Sequence, residues 1–563
     1  MAPLLLWTLS AVLVASMAAA TPKRPNIVFV ITDDQDLHMS SLDYMPITAK
    51  HIRDEGTAFE RHYCTIAVCC PSRVSLLTGK AAHNTNVTDV SPPYGGYSQF
   101  LKQGLNENYL PIWLQEGGYD TYYTGKLMNG HSLATWNKPY PAGWNNTNYL
   151  IDPGTYTYYN ASFQANQDPP VFRTGEYSTD VIAETAMDWL DAAAQRDRPF
   201  FMGVAPIAPH TETTFISSTL VVFDPPVPAK RHEGLFPDAK VPRVPNFNPD
   251  KPQGASWMKK LPQANQTVLE VNDALYRSRL QSLQSVDELV GSIVDKLTQL
   301  GMLDNTYIIY TTDNGFHIGH HRLPPGKTCA FEEDVNIPFL IRGPGIPKNF
   351  TVDFATSHTD LAPTILSLAQ IPLRKDFDGT PMPMTPQTMA EAVNSPMHDH
   401  VNIEYWGIAA GEGLLERAGL NGSISVYPNN TYKAMRIVSP KHNLLYTVWC
   451  TNEHELYDLK TDPYQVDNLY DKTMELYGRP KHQVIARLDA LLMVLKSCKG
   501  EQCTKPWLSL HPGGRVQNLA QALDSRLDSF YDKQPKVSYT ECELGYIVAS
   551  EGPQQFLPYH IGD

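Results

Sequence analysis

Two pairs of oxygen-bearing side chains directly follow apolar runs of the sequence. Asp33-Asp34 comes after NIVFVIT, and Asp313-Asn314 comes after TYIIYTT. If the two runs form neighbouring parallel strands, all four side chains meet at the carboxyl edge of a sheet, where ligands bind in open α/β folds. Close carboxylates need a cation to offset their repulsion, and these hard oxygen donors favour Ca²⁺ or Mg²⁺ over zinc. The alternative is that both pairs are turn residues that close strands.

A cysteine-containing segment has a spacing that packing alone does not require. Residues 69–79 read CCPSRVSLLTG, and Pro71 predicts the start of a helix. A helix that begins beside Cys69 directs free backbone N–H groups at an anion. The other interpretation is a buried or disulfide-bonded cysteine with Arg73 as a surface charge. It leaves the remaining residue types of the segment without an explanation.

This segment resembles the signature of the formylglycine-dependent sulfatases, Cys-x-Pro-Ser-Arg-x-x-x-Leu-Thr-Gly, at all seven fixed positions. Residues 118–126, GYDTYYTGK, are similar to a second signature of that family, Gly-Tyr-x-Thr-x-x-x-Gly-Lys. Three shorter stretches also resemble the family: APIAPH at 205–210, DNGFH at 313–317 and ELYDL at 455–459. The resemblance spans Pro25 to about Leu469 and is closest to glucosamine-6-sulfatases and to fungal or plant-type arylsulfatases.

The resemblance implies that Cys69 is oxidised to formylglycine by the formylglycine-generating enzyme. The hydrated aldehyde then offers one hydroxyl to attack sulfur and a second to expel sulfate. The implied cation ligands are Asp33, Asp34, Asp313, Asn314 and formylglycine 69. The implied catalytic residues are Cys69, Arg73, Lys126, His210 and Lys327, and the implied substrate contacts are Lys126, His210, His317 and Lys327.

Each implied role has a chemical reason. The cation binds a sulfate oxygen and lowers the pKa of the attacking hydroxyl, whose proton Asp313 is placed to accept. Arg73 and Lys126 stabilise developing charge. His210 and Lys327 contact sulfate and help to protonate the leaving oxygen. The structural alternatives are solvated surface charges for the two lysines and hydrogen-bonded loop positions for the histidines.

One position departs from the family's pattern. Many sulfatases have a histidine two residues after the lysine of Gly-Lys, where it acts as the base that triggers sulfate release, but this chain has Met128. Methionine cannot accept a proton. Asn129, His131 or another histidine is a candidate to orient the hydroxyl instead.

The elements that must position these residues alternate between strands and helices. Strands are predicted over residues 26–31, 119–123, 200–204, 306–312 and 338–342. Helices are predicted from residue 71 and over residues 109–116, 179–194, 268–300 and 359–369. This alternation predicts an α/β fold with a large, mostly parallel sheet flanked by helices. The resemblance identifies it with the alkaline-phosphatase-like sulfatase fold.

Composition changes mark the rest of the chain. Residues 130–175, rich in Asn, Pro, Gly and Tyr, are predicted as irregular loops, and the Pro-rich residues 221–265 as an extended segment. Periodicity is lost around residues 374–391, which predicts a catalytic domain over 21–380 and a smaller C-terminal α+β domain over 381–563. The smaller domain has predicted strands at 432–437 and 444–449 and a helix at 483–496.

The N-terminus indicates a secreted protein. Leu4–Ala20 is apolar and ends in three alanines, which predicts a signal peptide over residues 1–20, and no later stretch is long and apolar enough to span a membrane. Lysosomal or cell-wall-associated destinations stay open. Seven glycosylation sequons agree with this route: Asn86, Asn145, Asn160, Asn265, Asn349, Asn421 and Asn429. Cys498 and Cys503 are predicted to form a local disulfide, while the pairing of the other cysteines and the oligomeric state stay open.

Composition and charge exclude other function classes. The chain has 563 residues, 42% hydrophobic, with a formal net charge of −14. That apolar content excludes a disordered chain, and the acidic balance excludes a nucleic-acid partner. The leading hypothesis is a secreted sulfatase that hydrolyses small sulfate esters, with aryl sulfates ahead of N-acetylglucosamine-6-sulfate or other glycans. The alternatives are a phosphate or phosphonate ester hydrolase of the same superfamily and a catalytically decayed glycan-binding glycoprotein.

Overall fold

The computed structural model describes residues 23–215, 221–394, 398–413 and 426–560. The predicted signal peptide, residues 1–20, and the sequon residue Asn421 lie outside the described residues.

A ten-stranded sheet forms the centre of the molecule. In order across the sheet, its strands are Phe350–Val352, Thr57–Phe59, Phe339–Arg342, Thr306–Thr312, Asn26–Thr32, Phe200–Ala205, Asp120–Lys126, Asn146–Leu150, Ser162–Ala165 and Val171–Phe172. The five strands from Thr306–Thr312 to Asn146–Leu150 are parallel to one another. The outer strands add antiparallel pairings on both sides, so the sheet is mixed. The predicted parallel arrangement is therefore confirmed at the centre, where the carboxyl ends of the strands share one edge.

The prediction of irregular loops over residues 130–175 is wrong in part. Three strands, Asn146–Leu150, Ser162–Ala165 and Val171–Phe172, extend the sheet through this region. Most of the Asn, Pro and Gly residues lie outside these strands, while Tyr149 and Phe163 are buried. The amino-acid composition of this region is dominated by residues outside the strands, so it does not reveal the short strands. The predicted extended segment contains Val221–Asp224, which pairs with Glu212–Phe215.

Helices cover both faces of the sheet because alternate residues of each central strand point to opposite sides. In Asn26–Thr32, Phe29 belongs to one apolar cluster and Val30 to the other. The first cluster includes residues of helices Cys69–Thr78, Gly96–Lys102, Leu110–Glu116 and Leu361–Leu368. The second includes residues of helices Ser178–Ala194 and Gln266–Gln299. Helix Cys69–Thr78 begins two residues before the predicted start at Pro71.

A smaller antiparallel sheet follows along the chain, with strands His400–Tyr405, Tyr432–Val438, Asn443–Trp449 and His454–Asp458. Helix Lys481–Leu495 packs on one face, and the other face shares an apolar cluster with residues of the large domain such as Tyr63 and Phe331. Helix Pro386–Asn394 contributes Met389 to a cluster of the large sheet. The smaller α+β domain is thus present, and its boundary at residue 380 stays a prediction.

Short elements connect these layers. The short strand pairs are His62–Tyr63 with Thr356–Ser357, Ala409–Ala410 with Val426–Tyr427, and Glu475–Leu476 with Arg479–Pro480. The short α-helices are Pro46–Thr48, Ala82–Thr85, Glu332–Val335, Glu501–Thr504, Pro506–Leu510, Leu519–Ala522 and Asp528–Asp532.

Two disulfide bonds link residues in the C-terminal part of the chain. The predicted Cys498–Cys503 bond is confirmed, and Cys450 pairs with Cys542 across 92 residues of sequence. The second pair had no signal in the sequence because the spacing of two distant cysteines does not reveal their proximity.

We predict that the long-range disulfide stabilises the fold more than the local one does. In the chain-entropy model, closing a loop of 92 residues contributes about 4–5 kcal/mol and a loop of five about 2 kcal/mol. Cys450→Ser/Cys542→Ser should therefore lower the free energy of unfolding in urea by more than Cys498→Ser/Cys503→Ser does. Equal losses would show that loop closure does not set the difference.

Candidate active site

The register of two strands brings the predicted carboxylates together. Thr32 pairs with Thr312, so Asp33 and Asp313 leave the sheet side by side. The backbone N–H of Asp34 donates to Asp313 Oδ1 at 3.1 Å. Asp33, Asp34 and Asp313, here called the acidic trio, are all fully buried. The turn interpretation is correct for the backbone, but it does not account for three carboxylates buried in one place.

Asp34 adopts a left-handed backbone conformation, with φ of 65°. This conformation is uncommon outside glycine, although Asp and Asn tolerate it better than most residues. The backbone carbonyl of Asp34 accepts a hydrogen bond from Arg279 at 2.5 Å. Arg279 is buried in the long helix Gln266–Gln299 and stacks on Phe316. Through Arg279, this helix therefore stabilises the left-handed backbone conformation of Asp34.

Cys69 lies at the first position of its helix, against the acidic trio. Its Sγ is 3.4 Å from Asp33 Oδ1 and 3.9 Å from Asp34 Oδ1. Burial and the neighbouring Asp33 raise the pKa of the Cys69 thiol well above its usual value. Since the thiolate is the reactive form of cysteine, this environment makes an unmodified Cys69 a poor nucleophile.

Three cations surround the carboxylates. Arg73 Nε donates to Asp313 Oδ2 at 2.8 Å, Lys126 Nζ to Asp33 Oδ2 at 2.5 Å and Lys327 Nζ to Asp34 Oδ2 at 2.6 Å. We call Arg73, Lys126 and Lys327 the basic trio. All three are buried, so the surface-charge alternative is wrong for each of them.

The pairing decides the charge state of the cluster. Burial raises the pKa of Asp33, but Lys126, His210 and Arg73 together lower it to about 2. Burial lowers the pKa of Lys126, but Asp33 raises it above its usual value. Asp33 and Lys126 are therefore ionised at neutral pH, and the formal charges of the acidic trio and the basic trio sum to zero.

His210 approaches the same carboxylates from the loop after strand Phe200–Ala205. Its Nε2 is 3.5 Å from Asp34 Oδ2. Its Nδ1 is 2.7 Å from the backbone carbonyl of Thr211, which can only accept, so Nδ1 carries a proton. The Nε2 atom is thereby the one left to exchange a proton or contact a ligand. The ring stacks on Tyr156, and Tyr156 also contacts the ammonium of Lys126.

His317 is held apart from these contacts. Its Nδ1 is 2.6 Å from Asp334 Oδ1, and its backbone pairs with Gly326, beside Lys327. Its position next to the Lys327 loop agrees with a substrate contact, and that role stays a prediction.

The group Asp33, Asp34, Cys69 and His210 offers ligand atoms within 4.8 Å of one another. Asn314 adds a buried side-chain oxygen, Oδ1, that has no hydrogen-bond partner, while its Nδ2 donates to Asp34 Oδ1 at 2.7 Å. Asp313 faces the cluster, but its Oδ1 accepts two backbone N–H groups. Carboxylates with an orphaned amide oxygen fit a hard divalent cation.

The residues proposed to replace the histidine that is absent at position 128 lie in different surroundings. Met128 is buried in the apolar cluster beside the sheet. His131 packs between Tyr97 and Tyr149, and burial lowers its pKa to about 4. Asn129 Nδ2 donates to the hydroxyl of Tyr156 at 2.6 Å. Of the two named candidates, Asn129 thus reaches the site through Tyr156, whereas His131 belongs to the aromatic core.

Several site residues had no signal in the sequence. Tyr156 is one of many tyrosines in its region, and only the fold selects it. Asp334 and Arg279 lie in helices. The hydrophobic pattern of a helix separates buried from exposed positions, but it does not mark functional residues. Glu412 lies 3.1 Å from Lys327 Nζ and comes from the C-terminal part of the chain.

Comparison with known proteins agrees with this geometry. A sequence profile of the sulfatase family matches residues 25–371. The chain belongs to the sulfatase family. Sulfate ester hydrolysis is the activity that this membership and the site support.

Individual relatives extend the match over most of the chain. An arylsulfatase of Volvox carteri is 40% identical, covering 94% of this chain and 83% of its own. The N-acetylglucosamine-6-sulfatase of Homo sapiens is 33% identical, covering 91% of both. Among solved structures, BT4656 in complex with its substrate D-glucosamine-2-N,6-O-disulfate has a TM-score of 0.62 at 23% identity, covering 80% of this chain and 94% of that one. This likeness shows the sulfatase fold.

We predict that Arg73→Met destabilises the metal-free sulfatase by about 3–5 kcal/mol, because it leaves buried carboxylates without their cation. Urea unfolding should show this loss, and added Ca²⁺ should recover part of it by offsetting the same repulsion. Arg53→Met is a matched control. Arg53 pairs with Asp54 at the surface, and losing this pair should lower the free energy of unfolding by no more than about 1 kcal/mol. Equal losses in the two variants would contradict the balancing role of Arg73.

Proposed function

We propose that this sulfatase hydrolyses aryl sulfates with a formylglycine made from Cys69. The observation that supports it best is the position of Cys69. Its Sγ lies within hydrogen-bonding distance of Asp33 and Asp34, and these carboxylates pair with Lys126 and Lys327. The 40% identity to arylsulfatases over most of the chain supports the aryl ester class.

Sequence identity favours sulfate esters over phosphate esters, because the relatives at 40% identity are arylsulfatases. The formal charges of the acidic and basic trios cancel, and the negative charge of Glu412 is matched by the protonated His210 that the proposed proton donation requires. A phosphate hydrolase, the alternative from the same superfamily, is therefore disfavoured by the relatives and not by the charge of the site.

The proposed roles follow the contacts. A divalent cation, Ca²⁺ before Mg²⁺, supplies Lewis-acid activation of a sulfate oxygen when bound to Asp33, Asp34, Asp313, Asn314 and residue 69. The hydrated aldehyde at residue 69 supplies the attacking and the expelling hydroxyls. Arg73 and Lys126, already fixed by buried carboxylates, stabilise charge that develops on the transferring group.

The leaving oxygen needs a proton, and two groups are placed to give it. His210 Nε2 points at the cluster while its Nδ1 is anchored, and Lys327 holds its ammonium 2.6 Å from Asp34. We assign the donation to His210, with Lys327 binding a sulfate oxygen. His317 contacts the remainder of the ester from the Lys327 loop.

The same proposal includes secretion. The six sequon residues that the structure describes, Asn86, Asn145, Asn160, Asn265, Asn349 and Asn429, are all exposed. Two disulfides fit an oxidising compartment, where the formylglycine-generating enzyme meets the chain. In the part of the chain that the structure describes, none of the helices has the length and apolar character to cross a membrane.

A second candidate substrate is a glycan that carries N-acetylglucosamine-6-sulfate. The 33% identity to the human enzyme of that name favours it. The aromatic residues near the site do not separate the two classes, because aromatic rings contact aryl groups and sugar faces alike.

We predict that the peptide containing Cys69 from secreted, active protein has the mass of the aldehyde form. Cys69→Ala should abolish hydrolysis of 4-nitrophenyl sulfate without lowering the melting temperature. Cys70→Ala is the matched control, because Cys70 lies in the apolar cluster and should leave the modification in place. An unmodified thiol in a fully active preparation would contradict the proposal.

We also predict the order of activities in a substrate panel. The kcat/KM for 4-nitrophenyl sulfate should exceed that for 4-nitrophenyl phosphate, since the arylsulfatase relatives support the sulfate ester class. N-acetylglucosamine-6-sulfate should be slower than the aryl ester. The reverse order for these two sulfates would favour the glycan candidate, and a faster phosphate reaction would refute both.

A further inference from the structure

Glu412 brings a carboxylate into the site from outside the large domain. Its Oε1 is 3.1 Å from Lys327 Nζ, and its Oε2 accepts a hydrogen bond from Thr211 Oγ1 at 3.4 Å. Thr211 directly follows His210, so one carboxylate contacts both loops that carry the proposed sulfate-binding groups. Glu412 is 8% exposed, and water screens its charge poorly.

The backbone fixes this position. The N–H of Glu412 donates to the carbonyl of Pro325 at 2.6 Å. Two residues earlier, the carbonyl of Ala410 lies 2.8 Å from the point where a Cβ on Gly326 would be, so only glycine allows this approach. The loop of Lys327 and the segment of Glu412 are therefore held together by their main chains.

Lys327 does not need Glu412 for neutralisation. Its ammonium already pairs with Asp34 at 2.6 Å, and the acidic and basic trios cancel without any further group. Glu412 is thus a negative charge in addition to the acidic trio, beside the groups that are proposed to bind the sulfate ester. Such a charge opposes the binding of substrate and product, and it opposes the more highly charged one more strongly.

Hydrolysis raises the charge of the bound anion. The ester R–O–SO₃⁻ and water give R–OH, SO₄²⁻ and a proton, so the sulfate product carries twice the charge of the substrate. Because Coulomb energy is proportional to charge, Glu412 repels the product with twice the energy that it exerts on the ester at the same distance.

We propose that Glu412 drives release of the sulfate product by electrostatic repulsion. This inference rests on the proposed sulfatase function and deepens it. The role is one of tuning the binding of anions, and Glu412 takes no part in bond making or breaking.

The test compares wild type with Glu412→Gln and Glu412→Ala, all in the calcium-loaded, formylglycine-containing protein. The KM for 4-nitrophenyl sulfate and the competitive inhibition constant of inorganic sulfate are measured at one pH and one ionic strength. Because the energies differ twofold, the fold change for sulfate should be about the square of the fold change for the ester. A threefold decrease in KM, for example, goes with about a tenfold decrease in the sulfate constant.

Two controls separate charge from structure. Glu412→Asp keeps the charge and should restore the wild-type ratio of the two constants. Glu55→Gln neutralises a glutamate paired with Lys348 at the surface and should change neither constant. If both neutral Glu412 variants bind sulfate and ester equally more weakly, Glu412 only positions Lys327 and the proposal is wrong. An unchanged ratio overturns it as well.

Isothermal titration calorimetry measures the binding of sulfate without any need for turnover. The dissociation constant of inorganic sulfate is measured on the same calcium-loaded wild type and Glu412→Gln proteins, without substrate. Tighter sulfate binding by the variant supports the proposal, and equal or weaker binding refutes it. If the wild type fails to hydrolyse 4-nitrophenyl sulfate, the proposed function fails, while the sulfate titration still decides the effect of Glu412.

Discussion

Three buried carboxylates at the end of two paired strands are the constraint to which the rest of the site responds. The parallel register of Thr32 with Thr312 places them together, and their mutual repulsion in a buried place must be offset. Each carboxylate has its own cation from a different part of the sequence, so three remote segments are tied to one point. The proposed metal ion would add to a cluster in which these six formal charges already cancel, which leaves positive charge available for an anionic substrate.

The smaller domain belongs to the same arrangement. It supplies Glu412 to the site and also holds the segment that follows the signature helix. Glu404 of its first strand pairs with Lys433 at 2.8 Å and with His83 of the helix just beyond Gly79. These groups are buried, and breaking such a pair costs about 3–5 kcal/mol. These contacts therefore connect the smaller domain to the segment just beyond the helix that begins at Cys69.

Site residues could be predicted from the sequence where they directly follow a predicted strand or belong to a motif with several fixed positions. The strand ends indicated Asp33 and Asp313, and the motif indicated Cys69 and Arg73. Lys327 had no motif of its own, yet it lies in the cluster. Tyr156 and Glu412 were missed because their roles arise from packing between segments that are distant in sequence. Short edge strands were missed for a related reason, since turn residues dominate the composition around them.

The fixed residues of the signature have structural duties apart from any enzyme that modifies Cys69. Ser72 donates to the carbonyl of Asp313 and contacts His358, so it fastens the helix to the strand end. Gly79 ends the helix at a φ of 65°, and a Cβ there would lie 2.6 Å from Phe377. Cys69 itself is 2% exposed in the finished fold. The oxidation proposed for Cys69 therefore requires access to this residue before the chain folds around it.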